Sequence, residues 1–237
     1  MDTIDTKEAI TGTDIKFDRQ SGIVNPKEQR LKITLFGAGS GGSFIALTLA
    51  KLGFDNITVY DFDTVELHNI PNQFYRISDI GKPKVTALKE IIKEFTGVEI
   101  NAINEKVTKD TMLDFDADRL FILGVDNVET RKVIYDKLKG FPIRMIDCGM
   151  GGEEFMVQVI QLDDEEQQKK YELFLNKEFK DMPCGFRNVI YTILNVASET
   201  VNLIKRIDKK EEIPSVIRRD MKSWRILNGG GNNGKLP

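Results

Sequence analysis

A chain of 237 residues with a formal net charge of −3 at pH 7 is long enough to bury a proper core and too nearly neutral to point to nucleic acid or an anionic membrane as a partner. Its two cysteines, Cys148 and Cys184, form no CxxC pair, which excludes a disulfide scaffold and predicts no structural zinc. The polar N-terminus carries no signal-peptide pattern and no apolar run is long enough to span a bilayer, so a cytoplasmic compartment and no membrane association are expected.

Residues 1–30 are polar, with Gly12, Gly22 and Pro26, and read as an arm; Phe17-Asp18-Arg19-Gln20 interrupts it with a segment suited to docking. Residues 31–63 then organise the chain. An apolar strand at 33–36 stops at Gly37-Ala38-Gly39-Ser40-Gly41-Gly42, a helical pattern follows (Phe44, Ile45, Leu47, Leu49, Leu52), and a second strand at 57–60 ends on Asp61. The order suits a nucleotide: Gly37 permits a tight turn, Gly39 lets a phosphate or ribose approach the backbone, and Gly42 lets the helix pack close. Free N–H groups at the helix start attract anionic oxygens, and Asp61 at the next strand end can accept ribose hydroxyls.

The irregular segment 62–80 holds Asp63, Thr64, Val65, Glu66, His68, Asn69, Gln73 and Arg76, and a loop of this length in a compact domain is more often functional than idle. Pro83 opens a helix carrying Lys82 and Lys84 around its first turn, which Gly97 ends. A third strand is expected at 98–104, a short helix at 108–115 and a doubly buried strand at 119–125. Asp126-Asn127, a helix at 128–138 and a strand at 143–147 follow, then the glycines around Cys148-Gly149. Alternating strands and helices predict an α/β, Rossmann-like, doubly wound, mostly parallel sheet with helices on both faces. A strand at 155–161, a charged helix at 163–180 and a helix at 188–207 form a C-terminal strand/helix extension. The expected organisation is an arm (1–30), one nucleotide-binding domain (31–227, with core 31–160 and helical part 161–227), and a disordered glycine-rich tail (228–237). Ligands of such sheets bind beyond the carboxyl ends of the strands, where the glycines, Asp61 and Asp126 all fall.

These pieces resemble the ThiF/MoeB family, the adenylylating fold shared with ubiquitin-activating enzymes. The glycine turn, Asp61-Phe62-Asp63-Thr64-Val65, Asn69-Ile70-Pro71-Asn72-Gln73, Gly81-Lys82-Pro83-Lys84, and Asp126-Asn127 with Arg131 carry the resemblance, and Phe17-Asp18-Arg19-Gln20 is similar to the family's N-terminal aromatic-x-Arg-Gln. It covers roughly residues 17–160. The resemblance implies an ATP- and Mg2+-dependent homodimeric adenylyltransferase that activates the C-terminal carboxylate of a small ubiquitin-like or sulfur-carrier protein, or of a peptide, releasing pyrophosphate. In that reading Gly37, Gly39 and Gly42 give close backbone approach and Asp61 holds ribose, with Asp63 and Asn127 beside the nucleotide. Asn69 and Gln73 orient ATP, Asp126 holds magnesium, and Lys84 and Arg19 stabilise phosphate charge, Arg19 in the partner subunit's site.

Two departures stand out. The expected arginine is Asn72, with Arg76 four residues on as a candidate replacement, and the family's zinc-binding cysteine pairs are absent. Cys184, in Pro183-Cys184-Gly185 before a helix, is a candidate acyl acceptor or a small apolar residue in a connection. Asp126 competes with a role as helix N-cap, Arg131 with a carboxylate pair one turn away, and Cys148 is expected to be buried and inert. His68 has no nucleophile to serve, so a loop hydrogen bond is expected of it. The rivals are a degenerate family member serving as a regulatory or assembly partner, and a NAD-dependent oxidoreductase on the same turn.

Overall fold

The computed structural model describes residues 16–181, 188–223 and 225–229. The strands are β1 (Lys32–Phe36), β2 (Ile57–Tyr60), β3 (Asn101–Ile103), β4 (Arg119–Leu123), β5 (Arg144–Gly151), β6 (Glu154–Gln161), β7 (Val216–Asp220) and β8 (Arg225–Gly229). The helices are α1 (Ser40–Lys51), α2 (Lys84–Thr96), α3 (Val128–Leu138), α4 (Glu165–Asp181) and α5 (Ile190–Asp208). The strands lie side by side in one sheet, in the order β3-β2-β1-β4-β5-β6-β7-β8. From β3 across to β5 every pairing is parallel; from β5 to β8 every pairing is antiparallel. The order reverses between β1 and β4, which opens a crevice at their carboxyl ends.

Alternation along the strands sorts the core into two layers. Ile33, Leu35, Leu120, Ile122 and Ile146 face one side, against Ile45 and Leu49 of α1, Leu88 and Ile92 of α2, and Val196 and Ile204 of α5. Phe36, Phe121, Leu123 and Met145 face the other, against Ile134 and Leu138 of α3 and Tyr171 and Leu175 of α4. Each such side chain contributes roughly 1.5–3 kcal/mol when fully buried, and in the fully buried RLFIL of β4 the last four residues are apolar while Arg119, at its start, donates to Thr34 Oγ1 at 3.0 Å.

The N-terminal segment from Lys16 docks at the far end of α1. Phe17 is buried, the Gln20 side chain donates to the Lys51 carbonyl at 2.8 Å and that of Gln29 to the Leu52 carbonyl at 2.8 Å.

Four expectations need correction. Residues 108–115 form no helix, because Thr108 and Thr111 bond each other's backbone and side chains, a local alternative that competes with a helical turn. The glycines after Cys148 do not end β5; they stay in the sheet to Gly151 and turn through Gly152 (φ +62°) into β6. The region 161–227 is not only helical, since β7 and β8 extend the sheet from it. Asn228 and Gly229, expected to be disordered, belong to β8; residues 230–237 lie outside the described residues.

Gly42 sets the tightest approach in the fold: a Cβ there would overlap the Gly37 carbonyl oxygen, whereas one on Gly39 would meet no atom within 4 Å. Gly42→Ala is therefore expected to cost about 2 kcal/mol in urea unfolding, in the range of other overpacked sites, and Gly39→Ala to stay within about 0.5 kcal/mol of the parent.

Candidate active site

The site is built from the turn after β1. Gly37 has φ +96°, a conformation that favours glycine, and an added Cβ would lie 2.8 Å from the Gly124 carbonyl oxygen and 3.1 Å from the Val125 nitrogen. The ends of β1 and β4 thus touch through bare backbone. Helix α1 opens at Gly39 with no side-chain cap, so the first N–H groups of the helix stay available to an anion. On the other flank, Asp61 Oδ2 accepts the Ala38 N–H at 2.6 Å and Oδ1 accepts the Asp63 N–H at 2.8 Å. Burial raises the Asp61 carboxyl above its ordinary value, while those two N–H bonds and the charge of Lys84 oppose the rise.

The crossover segment after β2 closes over this turn. Tyr75 donates its hydroxyl to the Ala38 carbonyl at 2.6 Å, and the Phe74 N–H donates to Ser43 Oγ at 3.0 Å. Lys84 is almost completely buried and its Nζ lies 2.9 Å from Asp63 Oδ2. Its own N–H donates to the Asp63 carbonyl at 2.9 Å. The turn, Asp61, Asp63 and Lys84 are therefore brought together. Asn69 is buried, but its Oδ1 accepts the Glu66 N–H at 2.8 Å and caps the short turn Leu67–Asn69. Gln73 Oε1 and Asn72 Oδ1 are enclosed without a hydrogen-bond partner, a costly state for a buried acceptor.

Across the crevice, Asn127 rather than Asp126 caps α3, its side chain accepting the Thr130 N–H at 3.0 Å. That removes the competing role for Asp126 and gives Asn127 a structural one. Asp126 is exposed, and its charge acts on Arg131. Arg131 does not pair one turn away. It is buried against Asp147 of β5 and donates to the carbonyls of Val125 and, at 2.9 Å, Cys148. Tyr171 donates to Asp147 Oδ2 at 2.7 Å. The carbonyl immediately before Asp126 is thus pinned from below.

Other candidates lie apart. Arg76 forks onto Asp79 (2.9 and 3.1 Å) and reaches Glu94 at 2.6 Å, so its charge is committed to carboxylates on its own loop and on α2. Arg19 is exposed in the short turn Asp18–Gln20 beside the C-terminal end of α1, about 18 Å along a 12-residue helix from Gly39. His68 pairs with Glu66 at 3.2 Å. Cys148 is buried, its Sγ 3.2 Å from Thr200 Oγ1, and burial pushes its thiol up to about 11, which leaves it unreactive at neutral pH. Cys184 lies outside the described residues. No group of three or more His, Cys, Asp or Glu among the described residues could hold a metal. Sequence reasoning missed Tyr75 and Ser43, for which no spacing signal exists.

Comparison with known proteins gives the family and the fold. A family model described as the ThiF family matches residues 20–225. The chain is 37% identical over 114 residues to the NEDD8-activating enzyme E1 catalytic subunit of Arabidopsis thaliana, covering 47% of this chain and 25% of that protein. It is 29% identical over 133 residues to ubiquitin-like modifier-activating enzyme 5 of Dictyostelium discoideum, covering 54% and 31%. The chain therefore spans only a quarter to a third of these relatives. Among solved structures, PaaA shares the fold with a TM-score of 0.72 at 20% identity, covering 97% of this chain and 77% of that one. Escherichia coli MccB, solved with AMPCPP and MccA, does so with a TM-score of 0.66 at 16% identity, covering 86% and 65%.

The Arg76 network gives a pH test of where that charge works. Burial alone would raise the Asp79 carboxyl, but the Arg76 side chain and N–H and Lys82 hold it below its ordinary value. A folded value below the unfolded one contributes stability that is full above about pH 4 and is lost as pH falls through the folded value. Asp79→Asn is expected to cost about 2 kcal/mol at pH 7. The gap to the parent should narrow as urea unfolding is repeated below pH 4.

Proposed function

This chain belongs to the ThiF family, and we propose that it is an ATP-dependent adenylyltransferase that activates the C-terminal carboxylate of a small ubiquitin-like or sulfur-carrier protein, or of a peptide. The observation that carries the reading is the meeting of three segments at the β1–β4 crevice: Asp61 bonds Ala38 while Gly37 abuts Gly124 and Val125, one residue before Asp126.

The residues fit the group they would receive. Open space over Gly39 and the uncapped start of α1 suit phosphate oxygens, and the outward lone pairs of Asp61 suit ribose hydroxyls. The orphaned acceptors of Asn72 and Gln73 suit a donor on the ligand. The exposed carboxylate of Asp126 suits Mg2+, which binds through one or two carboxylates plus substrate phosphates rather than in an all-protein cage. Mg2+ bound there would neutralise phosphate charge.

In the proposed reaction an oxygen of the carrier's terminal carboxylate attacks the α-phosphorus of ATP. The new P–O bond forms, the bond to the β-phosphate breaks, and pyrophosphate leaves with the electron pair. A carboxylate is already ionised at neutral pH, so no general base is needed and the burden falls on positioned charge. Lys84 is the buried cation of the site, held ready by Asp63. Asn72 offers hydrogen bonds in place of a guanidinium, which leaves the phosphates to Lys84, to the metal at Asp126 and to Arg19 of a second subunit. Arg19 cannot serve its own site from the far end of α1, and this supports a homodimer. Cys184 enters as the candidate acceptor of the activated acyl group.

ATP–pyrophosphate exchange with candidate carriers tests the reading. Asp126→Ala should lower exchange by about a hundredfold or more with the circular dichroism spectrum unchanged; unchanged exchange would remove its metal role, and no exchange by the parent with any carrier would favour a non-catalytic assembly partner. Arg19→Ala should be inactive alone, yet regain exchange when mixed with Asp126→Ala, because the mixed dimer holds one complete site. Failure of mixing between subunits shown to exchange would place Arg19 outside the mechanism.

A further inference from the structure

We propose that Tyr75 is a positioning residue for ATP, acting through the Ala38 carbonyl rather than by contact with the nucleotide; the inference rests on the adenylylation reading above. Tyr75 is almost fully buried and its hydroxyl donates to Ala38 O at 2.6 Å. The N–H of the same residue is held by Asp61 Oδ2 at 2.6 Å. Ala38 is thus gripped at both its donor and its acceptor, by the ribose-binding acid on one side and the crossover segment on the other.

The grip matters because of what flanks it. Ala38 stands between Gly37 and Gly39, the residue type with the most backbone freedom to lose, so the turn has little of its own to hold one shape. A buried carbonyl requires a donor, and Tyr75 supplies it from a segment that also carries Gln73. Next to Tyr75, the Phe74 N–H is bonded to Ser43 Oγ in the first turn of α1 at 3.0 Å. Two consecutive residues therefore strap the crossover segment to the phosphate-facing turn and to the helix start, and set Gln73 in register with both. Burial, with the nearby charge of Asp61, holds the phenol far above its ordinary value, so the hydroxyl remains a donor at every working pH.

Tyr75→Phe keeps the ring and deletes only the donor. ATP affinity, measured by titration calorimetry well below the melting temperature, is expected to fall about tenfold, the scale of one lost bond to a buried acceptor. In an Asp61→Asn background the same change should cost about twofold or less, because both groups act on one peptide unit. Ser43→Ala, which releases the adjoining Phe74 N–H, should weaken ATP about threefold by the same logic. A purely structural tyrosine would lower the melting temperature in both backgrounds and leave ATP affinity of the folded protein unchanged. ATP affinity of Tyr75→Phe within twofold of the parent, or full additivity with Asp61→Asn, overturns the inference alone. A parent protein that binds no ATP overturns the adenylylation reading and this inference with it.

Discussion

The site depends on a backbone contact that no side chain could occupy. Gly37 and Gly42 allow the end of β1, the end of β4 and the start of α1 to touch directly, and everything chemical is arranged around that contact. Asp61 arrives from β2 to bond Ala38, and Asp126 follows two residues after Gly124 on the other side. A sheet that reverses its order between β1 and β4 opens a crevice here, since the connections leave in opposite directions. The glycines decide whether a phosphate could reach the backbone at its floor.

The distribution of cations is the most individual feature of the chain. Where a clamping arginine is expected the protein has Asn72, and Arg76, the nearest substitute, is spent on Asp79, Glu90 and Glu94. That network holds the crossover loop to α2 and buries the carboxylate of Asp79. The anchoring of the loop to α2 and the commitment of the Arg76 charge thus have one origin. Lys84 is the exception: it is buried and paired with the half-exposed Asp63, two residues from Asp61. Arg131 has gone to the interior, where its pairing with Asp147 fixes the carbonyl before Asp126. Removing one partner of such a pair would strand a buried charge, so its cost would reach both the fold and the position of Asp126.

Beyond β5 the sheet changes character. The β5–β6 hairpin and the antiparallel β7 and β8 cover what would otherwise be a parallel edge, and α5 packs against β5, β6 and α1. The same hairpin carries Asp147 and Cys148, whose side chain and carbonyl meet Arg131, so the added strands brace the site from one side as the crossover segment does from the other.

The sequence by itself determined the parallel core, the glycine turn, Asp61 at a strand end and the two-sided helical cover, because each rests on local spacing: apolar runs for doubly buried strands, a 3.6-residue period for helices, glycine where φ must be positive. It also determined family membership, through short motifs whose order is diagnostic. Only the tertiary structure decided what each polar residue touches. Asn127 took the cap from Asp126, Arg76 was drawn to Asp79, Arg131 to Asp147, and Arg19 to the end of α1 remote from its own crevice. The strands β7 and β8 and the coil at 108–115 escaped for a related reason: the charged VIRRD pairs along an existing edge, and two threonines bond locally where a helix was expected. Tyr75 had no signature at all, since a buried hydroxyl is defined by its acceptor, and its acceptor lies 37 residues away in the chain.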